Sequence, residues 1–371
     1  MDLRHLNRGQ IFRLWTLQLA STPIAFMVSP IIKLAGYQGW VGISLAMLFG
    51  LGIGYFALRT ARLNPERNWV QFGHSIVGKP LHILCVCLVL FFMTFINALN
   101  IMSFTEFFSS VYLRETSTPV IAWAVGITVL FAARSGLMSI SYVADGFFIL
   151  TALCSILIGT FITKKVNFDM LIAFVNHYDM NGIMKSALFT SSWAGEFFLF
   201  LLFYPAIQNK KHAFLTMSVT GIITAVFLII YWMVCILILG LRLPTFLEYP
   251  MLNVIQAVHI GDPLDNIDPL LLSIWSTALL VKTSLFLFLT AQGVAHLMNK
   301  NDHRPFVVPM AIFMMILAYI MDKNAPMTYK FSTEAFMSSI ECIPILYLIV
   351  YALRKKLSKA YTLERQADST R

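Results

Sequence analysis

The stretch from Ser186 to Pro205, SALFTSSWAGEFFLFLLFYP, is the feature that most constrains this chain. It is long and apolar enough to cross a bilayer, which takes about 20 such residues. Yet it carries Thr190-Ser191-Ser192 and Gly195-Glu196 in its interior. A carboxylate deep in a membrane helix costs a few kcal/mol or more unless it is paired, neutral or facing a wet cavity. Small hydroxyl residues beside a glycine suit a locally unwound helix, because freed backbone groups then find hydroxyls or water. Two readings follow. One is an interrupted helix that lines a binding cavity. The other is a continuous helix whose serines bond to their own backbone and whose glutamate reaches a helix end.

The whole chain shares this apolar character. Of its 371 residues 58% are hydrophobic and 12% charged, and a soluble domain carries about 25% charged residues. The chain therefore reads as an all-α integral membrane protein. Ten spans fit the sequence, at 11–34, 40–58, 80–108, 119–133, 144–163, 183–205, 213–240, 269–297, 305–321 and 331–353. They form a single polytopic domain over 1–371, with a first repeat over about 9–163, a second over about 183–353, and a basic tail at 354–371. The N-terminal MDLRHLNRGQ runs into the first span without a small-residue cleavage site and reads as a signal anchor.

The net charge of +9 has a positional explanation. With both termini cytoplasmic, 18 of the 27 lysines and arginines flank spans on that side and 8 on the other, and Lys282 lies within a span. That is the bias of the positive-inside rule, so the charge signals topology, not nucleic acid. The five cysteines all sit in apolar segments, and Cys85-Val86-Cys87 lacks zinc-site spacing. No nucleophile elbow, phosphate loop or zinc helix occurs, so no enzyme is expected, and no cofactor or metal.

Two loops have character of their own. Arg59 to Pro80 is basic, with Leu63, Trp69, Val70, Phe72 and Ile76 as an apolar stripe, and suggests an interfacial helix. Leu243 to Asp268 is the longest loop expected on the external side. Gly50-x-x-x-Gly54 in the second span reads as a close helix-packing face.

Candidate binding residues gather where spans are interrupted. In the first span, Ser21-Thr22-Pro23 breaks the helix: Pro23 removes the amide that would bond the Leu19 carbonyl, and nearby hydroxyls are expected to satisfy it. The sixth span holds Ser191, Gly195 and Glu196. Interrupted helices at matching places in two halves point to a site near the bilayer midplane. Lys282, in the middle of the eighth span, is too far from either end to snorkel and needs a partner, with Glu196 the first candidate and Glu341 the second. Thr283 follows it, and Asn97 and Asn100 lie one turn apart on the third span. Glu106 and Asp145 sit nearer span ends and read as interfacial.

Taken in order, the motifs resemble those of one family. Ala35-Gly36-Tyr37-Gln38-Gly39-Trp40 follows the first span, Gly78-Lys79 precedes the third, and Thr118-Pro119 opens the fourth. Gly195-Glu196 and Pro205 mark the sixth. Glu248-Tyr249-Pro250, Leu264-Asp265-Asn266-Ile267-Asp268, and Trp275 with Lys282 complete the series. The chain resembles the permease-like B subunit of the nutrient germinant receptors of bacterial endospores, in the amino acid–polyamine–organocation superfamily. It departs from that family's aromatic-Glu-Arg-hydrophobic-Asp run, showing Asp262-Pro263-Leu264-Asp265-Asn266 instead. The resemblance implies a LeuT-like bundle of two inverted five-helix repeats, in the inner spore membrane, with A-type and lipoprotein C-type partner subunits. It also implies recognition of an amino acid, sugar or ion that triggers germination. Transport of amino acids coupled to protons is the alternative, and a channel or structural role in the same complex is another. The expected binding residues are Ser21, Thr22, Asn97, Asn100, Ser191, Gly195, Glu196, Lys282 and Thr283.

Overall fold

In the computed structural model, residues 5–176, 178–257, 267–324 and 333–368 are described. Among the described residues the fold is helical apart from one isolated bridge between Leu6 and Ile207. Its principal helices are α1 (Arg8–Thr22), α2 (Val28–Ala35), α3 (Gly39–Ala61), α4 (Lys79–Val111), α5 (Thr118–Ser135) and α6 (Leu137–Ile162). The second half has α7 (Met180–Ala194), α8 (Ala213–Leu239), α9 (Asp268–Leu297), α10 (Arg304–Lys323), α11 (Thr333–Glu341) and α12 (Ile343–Asp368). Asn7 starts α1 with a reciprocal capping box, accepting from the Gln10 amide while Gln10 accepts from the Asn7 amide. Pro80, Pro119, Pro269 and Pro305 lie in the first turns of α4, α5, α9 and α10, where a missing amide costs nothing.

Among the described residues nine helical segments are long and apolar enough to cross a membrane. The first of them runs from Val28 to Ala61, so it joins the end of the first expected span to the second. The remaining part, α1, is set apart by five residues of π-helix, Pro23–Met27. A proline that removes one rung of the ladder accounts for such a bulge. The expected break is therefore present, as a change of helix type. The sixth span behaves alike: α7 ends at Ala194, Gly195–Leu199 tightens into 3-10 helix, and Phe200–Phe203 resumes the α form. The tail expected at 354–371 does not separate from the tenth span, because α12 continues to Asp368.

The turn between the first two spans explains one family motif. Gly36 ends α2 at φ +50°, a conformation side chains disfavour. Gln38 and Trp40 both donate to the Phe174 carbonyl, at 3.0 and 3.3 Å.

The sixth span forms the axis of the bundle. Gly42, Gly50 and Gly54 of α3 lie against Ser186, the Ala194 carbonyl and Phe197 with Met217, so the small-residue face of the second span packs as expected. On the other side the Trp15 indole stacks on Phe200 with ring centres 4.3 Å apart. The loop 59–80 differs from its expectation. Trp69, Val70, Phe72 and Ile76 are buried in the protein, leaving no apolar stripe for an interface. The Tyr347 hydroxyl donates to His82 Nδ1 at 2.6 Å, and Nε2 donates to the Val70 carbonyl at 2.8 Å, which pins this loop under α12.

Candidate functional site

The two interruptions face each other, and the chemistry between them begins with a freed carbonyl. With its amide partner removed by Pro23, the Leu19 oxygen accepts from the Trp193 indole at 2.8 Å. A side chain of the sixth span thus repairs the ladder of the first, where nearby hydroxyls had been expected to do so. Ser21 donates instead to the Gln18 carbonyl at 2.8 Å.

Lys282 reaches into this junction from the middle of α9. Its ammonium donates to Glu196 Oε1 at 2.7 Å and to the Thr22 hydroxyl at 2.8 Å, and it lies 5.4 Å from the Phe286 ring centre. The side chains of Lys282 and Glu196 are 0% and 4% exposed. Gln18 Nε2 donates to Glu196 Oε2. One carboxylate thus binds donors from the first and eighth spans and ties the interrupted segments together. Isolated charges buried this deeply would each cost several kcal/mol, and the pair with its added hydrogen bonds offsets most of that.

The remaining predicted residues divide around the cluster. Asn97 donates to the Thr283 carbonyl at 3.0 Å, and the Thr283 hydroxyl turns back to Leu279 at 2.8 Å. Asn100 is buried one turn further along α4. Ser191 and Ser192 donate to the carbonyls of Leu188 and Phe189, three residues back in their own helix. Ser191 also faces Ser338 of α11 at 3.4 Å, away from the first span. Gly195 begins the 3-10 turn with the Glu341 carboxyl packed directly against its Cα, where no side chain would fit. Of the nine predicted residues, Thr22, Glu196 and Lys282 therefore meet in direct contact.

Sequence reasoning missed Gln18. Its signal was available: it is an amide in an apolar run, one turn before Thr22. Glu341 is the second partner that the sequence offers Lys282, and the ammonium bonds Glu196 instead.

Aromatic layers close the cluster on both sides. Towards the 243–268 loop, Phe26 and Phe107 pack on Trp275 at 5.7 and 4.7 Å, and Phe107 packs on Tyr249 at 4.7 Å. Beyond them the Tyr112 hydroxyl and the Gln256 amide both donate to Asp268 Oδ2, at 3.0 and 3.1 Å. Burial and the neighbouring Asp268 carboxylate push the Tyr112 phenol up from its ordinary range. Part of the loop motif, Leu264-Asp265-Asn266, lies outside the described residues. On the opposite side Trp15, Phe197, Phe200 and Phe203 form the second layer. Asp145 pairs with Arg13 at 2.6 Å, each about a third exposed or less.

Comparison with known proteins agrees with this architecture. MhsT in complex with L-phenylalanine superposes with a TM-score of 0.66 at 13% identity, over 92% of this chain and 87% of its own. A Na+-coupled sialic acid symporter in a substrate-bound outward-open state gives 0.63 at 12%, over 90% and 78%. Mhp1, a nucleobase-cation-symport-1 family transporter in a closed conformation with bromovinylhydantoin, gives 0.62 at 10%, over 94% and 78%. At such identities they establish the LeuT-like fold alone. A full-length relative is YfkT of Bacillus subtilis strain 168, whose name assigns it to spore germination. It is 20% identical over 362 residues, 96% of this chain and 97% of its own. The spore germination protein family matches residues 5–326, most of the chain, and this chain belongs to that family.

Proposed function

We propose that this chain is the permease-like subunit of a nutrient germinant receptor, which binds a small polar nutrient between its first and sixth spans and passes a conformational change to partner subunits. The observation that carries the reading is the Thr22–Lys282–Glu196–Gln18 cluster. It sits at the junction of two interrupted helices, the place where half-helix ends and unpaired backbone groups serve a ligand in this fold. A ligand that competes for any of these bonds alters what holds the first, sixth and eighth spans together. Ser21, Asn97, Asn100, Ser191, Gly195 and Thr283 form the surroundings of that junction. The partners are an A-type subunit and a lipoprotein C-type subunit, in the spore inner membrane, with both chain termini cytoplasmic.

The test is a germination dose–response in spores that carry Thr22→Leu. The bulky side chain removes the hydroxyl from Lys282 and fills the junction, so the response is expected to shift to higher nutrient concentration or vanish at normal protein level. A normal curve places the nutrient elsewhere. A second reading, proton-coupled transport of an amino acid, draws support from fold neighbours that are symporters. Uptake of labelled L-alanine into vesicles containing the purified subunit alone favours it.

A further inference from the structure

With both of its carboxyl groups ionised, the central cluster carries more negative charge than its one lysine neutralises. Glu196 and Glu341 are 3% and 0% exposed, and among the described residues Lys282 is the one buried cation beside them. Lys282 gives two of its three donors to Glu196 and Thr22. Glu341 lies against Gly195, the residue next to Glu196, and within electrostatic range of both Glu196 and Lys282. Neither of its oxygens has a hydrogen-bond partner among the described residues. A carboxylate so placed costs several kcal/mol unless something supplies a proton, a donor or a positive charge.

The other unpaired atom of the cluster has the same character. Glu196 accepts, so Gln18 must present its amide nitrogen to it, and Gln18 Oε1 is left without a donor. Three buried oxygens, two from Glu341 and one from Gln18, therefore lack donors. Nearby, Asn97 spends its amide on the Thr283 carbonyl and leaves Oδ1 unpaired as well. Asn100 Nδ2, the Thr190 hydroxyl and the indole nitrogens of Trp15 and Trp275 in the flanking layers are also unpaired, and all are uncharged. What is missing is a donor-rich cation.

We infer that Glu341 is the ligand-binding carboxylate of the site and that the nutrient it receives carries an ammonium group. This rests on the binding site proposed above and names its ligand class. An ammonium offers three donors and one positive charge, which match the orphaned oxygens and the surplus charge. Glu196 is already committed to Lys282 and Gln18.

The position of Glu341 also gives binding a mechanical outlet. It is the last residue of α11, and the helix breaks at Cys342 before α12 begins. Pro344 lacks the amide that would bond Ile340, and its carbonyl is held by the Thr60 hydroxyl at 3.0 Å. An ammonium drawn between Glu341 and the first span lifts the carboxylate off Gly195. That moves α11 along the sixth span while α12 stays anchored to α3.

The experiment is thermal melting of the purified full-length protein in detergent, followed by tryptophan fluorescence. The probes are L-alanine, ethylamine, propionate, D-glucose and potassium chloride at matched ionic strength. L-alanine and ethylamine are expected to raise the melting temperature, with propionate, glucose and potassium without effect. Glu341→Gln keeps the shape and should weaken the amine response about ten-fold or more, the loss of one charge-assisted contact. An unchanged amine response in Glu341→Gln overturns the assignment. So does stabilisation by propionate equal to that by L-alanine, or by potassium and no amine. Stabilisation by glucose that Thr22→Leu removes and Glu341→Gln keeps leaves the binding junction standing and defeats only the ammonium. No shift with any probe defeats both. The selectivity of the unaltered protein decides the matter even if a variant fails to fold.

Discussion

The fifth and sixth spans are near-equal in length and opposite in fate. In α6 (Leu137–Ile162) only 17% of the most apolar stretch is buried, at a mean hydropathy of 2.0. In the sixth span, Met180–Ala206, 83% is buried at a mean hydropathy of 1.4. The less apolar helix is the core. In water this would be the wrong way round. In a bilayer, lipid tails are as apolar as leucine, so burying leucine against protein gains little, and packing and polar satisfaction decide which helix goes inside. The sixth span carries Glu196, Gly195 and Trp193, each with a specific contact to make. The fifth carries Gly146 and Gly159, beside which a side chain would meet nothing within 4 Å.

The largest effect that tests this contrast comes from the buried charge. Lys282→Met leaves Glu196 buried beside Glu341 and should cost about 3–5 kcal/mol. It should be seen as loss of protein from membranes or a collapse of the melting transition. Lys300→Met, at an exposed loop position, should cost almost nothing. Equal tolerance of the two changes would mean that the centre of the bundle is wet and that the sixth span is not a dry core. The double variant Glu196→Gln with Lys282→Met should recover part of the loss, because the carboxylate that Lys282 neutralises is then removed with it.

Aromatic packing comes next. Trp15→Ala empties the space beside Phe200 and should cost about 3 kcal/mol or more. Ile156→Ala on the fifth span, where the side chain is 65% exposed, should stay within about 0.5 kcal/mol in detergent melting. A comparable loss at both sites would make the outer face of α6 a protein contact.

The smallest expected effects differ in sign. Gly50→Ala pushes a methyl into the Ala194 carbonyl and should cost about 1–3 kcal/mol. Gly159→Ala meets open space and should stabilise α6 by up to about 1 kcal/mol through helix propensity. Melting of the two single variants gives the sign directly. Destabilisation by both would remove the distinction between the packed and the exposed glycine.

Much of this was legible in the residues. The interruption at Pro23 follows from the missing amide, and the need of Lys282 for a partner follows from the length of helix on either side of it. The partner of the freed Leu19 carbonyl was not legible. It is an indole 174 positions away, and helical pattern carries no information about contacts at that separation. Ser191 and Ser192 also show the limit. A serine in a helix can bond its own backbone or a neighbour, and here both bond the backbone. The stripe at 63–76 was read as interfacial because its periodicity is amphipathic. A stripe that docks under another helix has the same periodicity, and only the His82–Tyr347 link distinguishes the two.

By itself the sequence determined that the chain is a helical membrane bundle, where most of its spans lie, and that two of them are interrupted. Those are local consequences of apolar length, proline geometry and the cost of buried charge. Only the tertiary structure decided that Glu196 takes Lys282 and Gln18 while Glu341 is left over Gly195. Either carboxylate satisfies the lysine equally well on paper. The choice is made by which helix brings its oxygen within 3 Å, and that distance is set by the packing of the sixth span against α1, α3 and α9 as a whole.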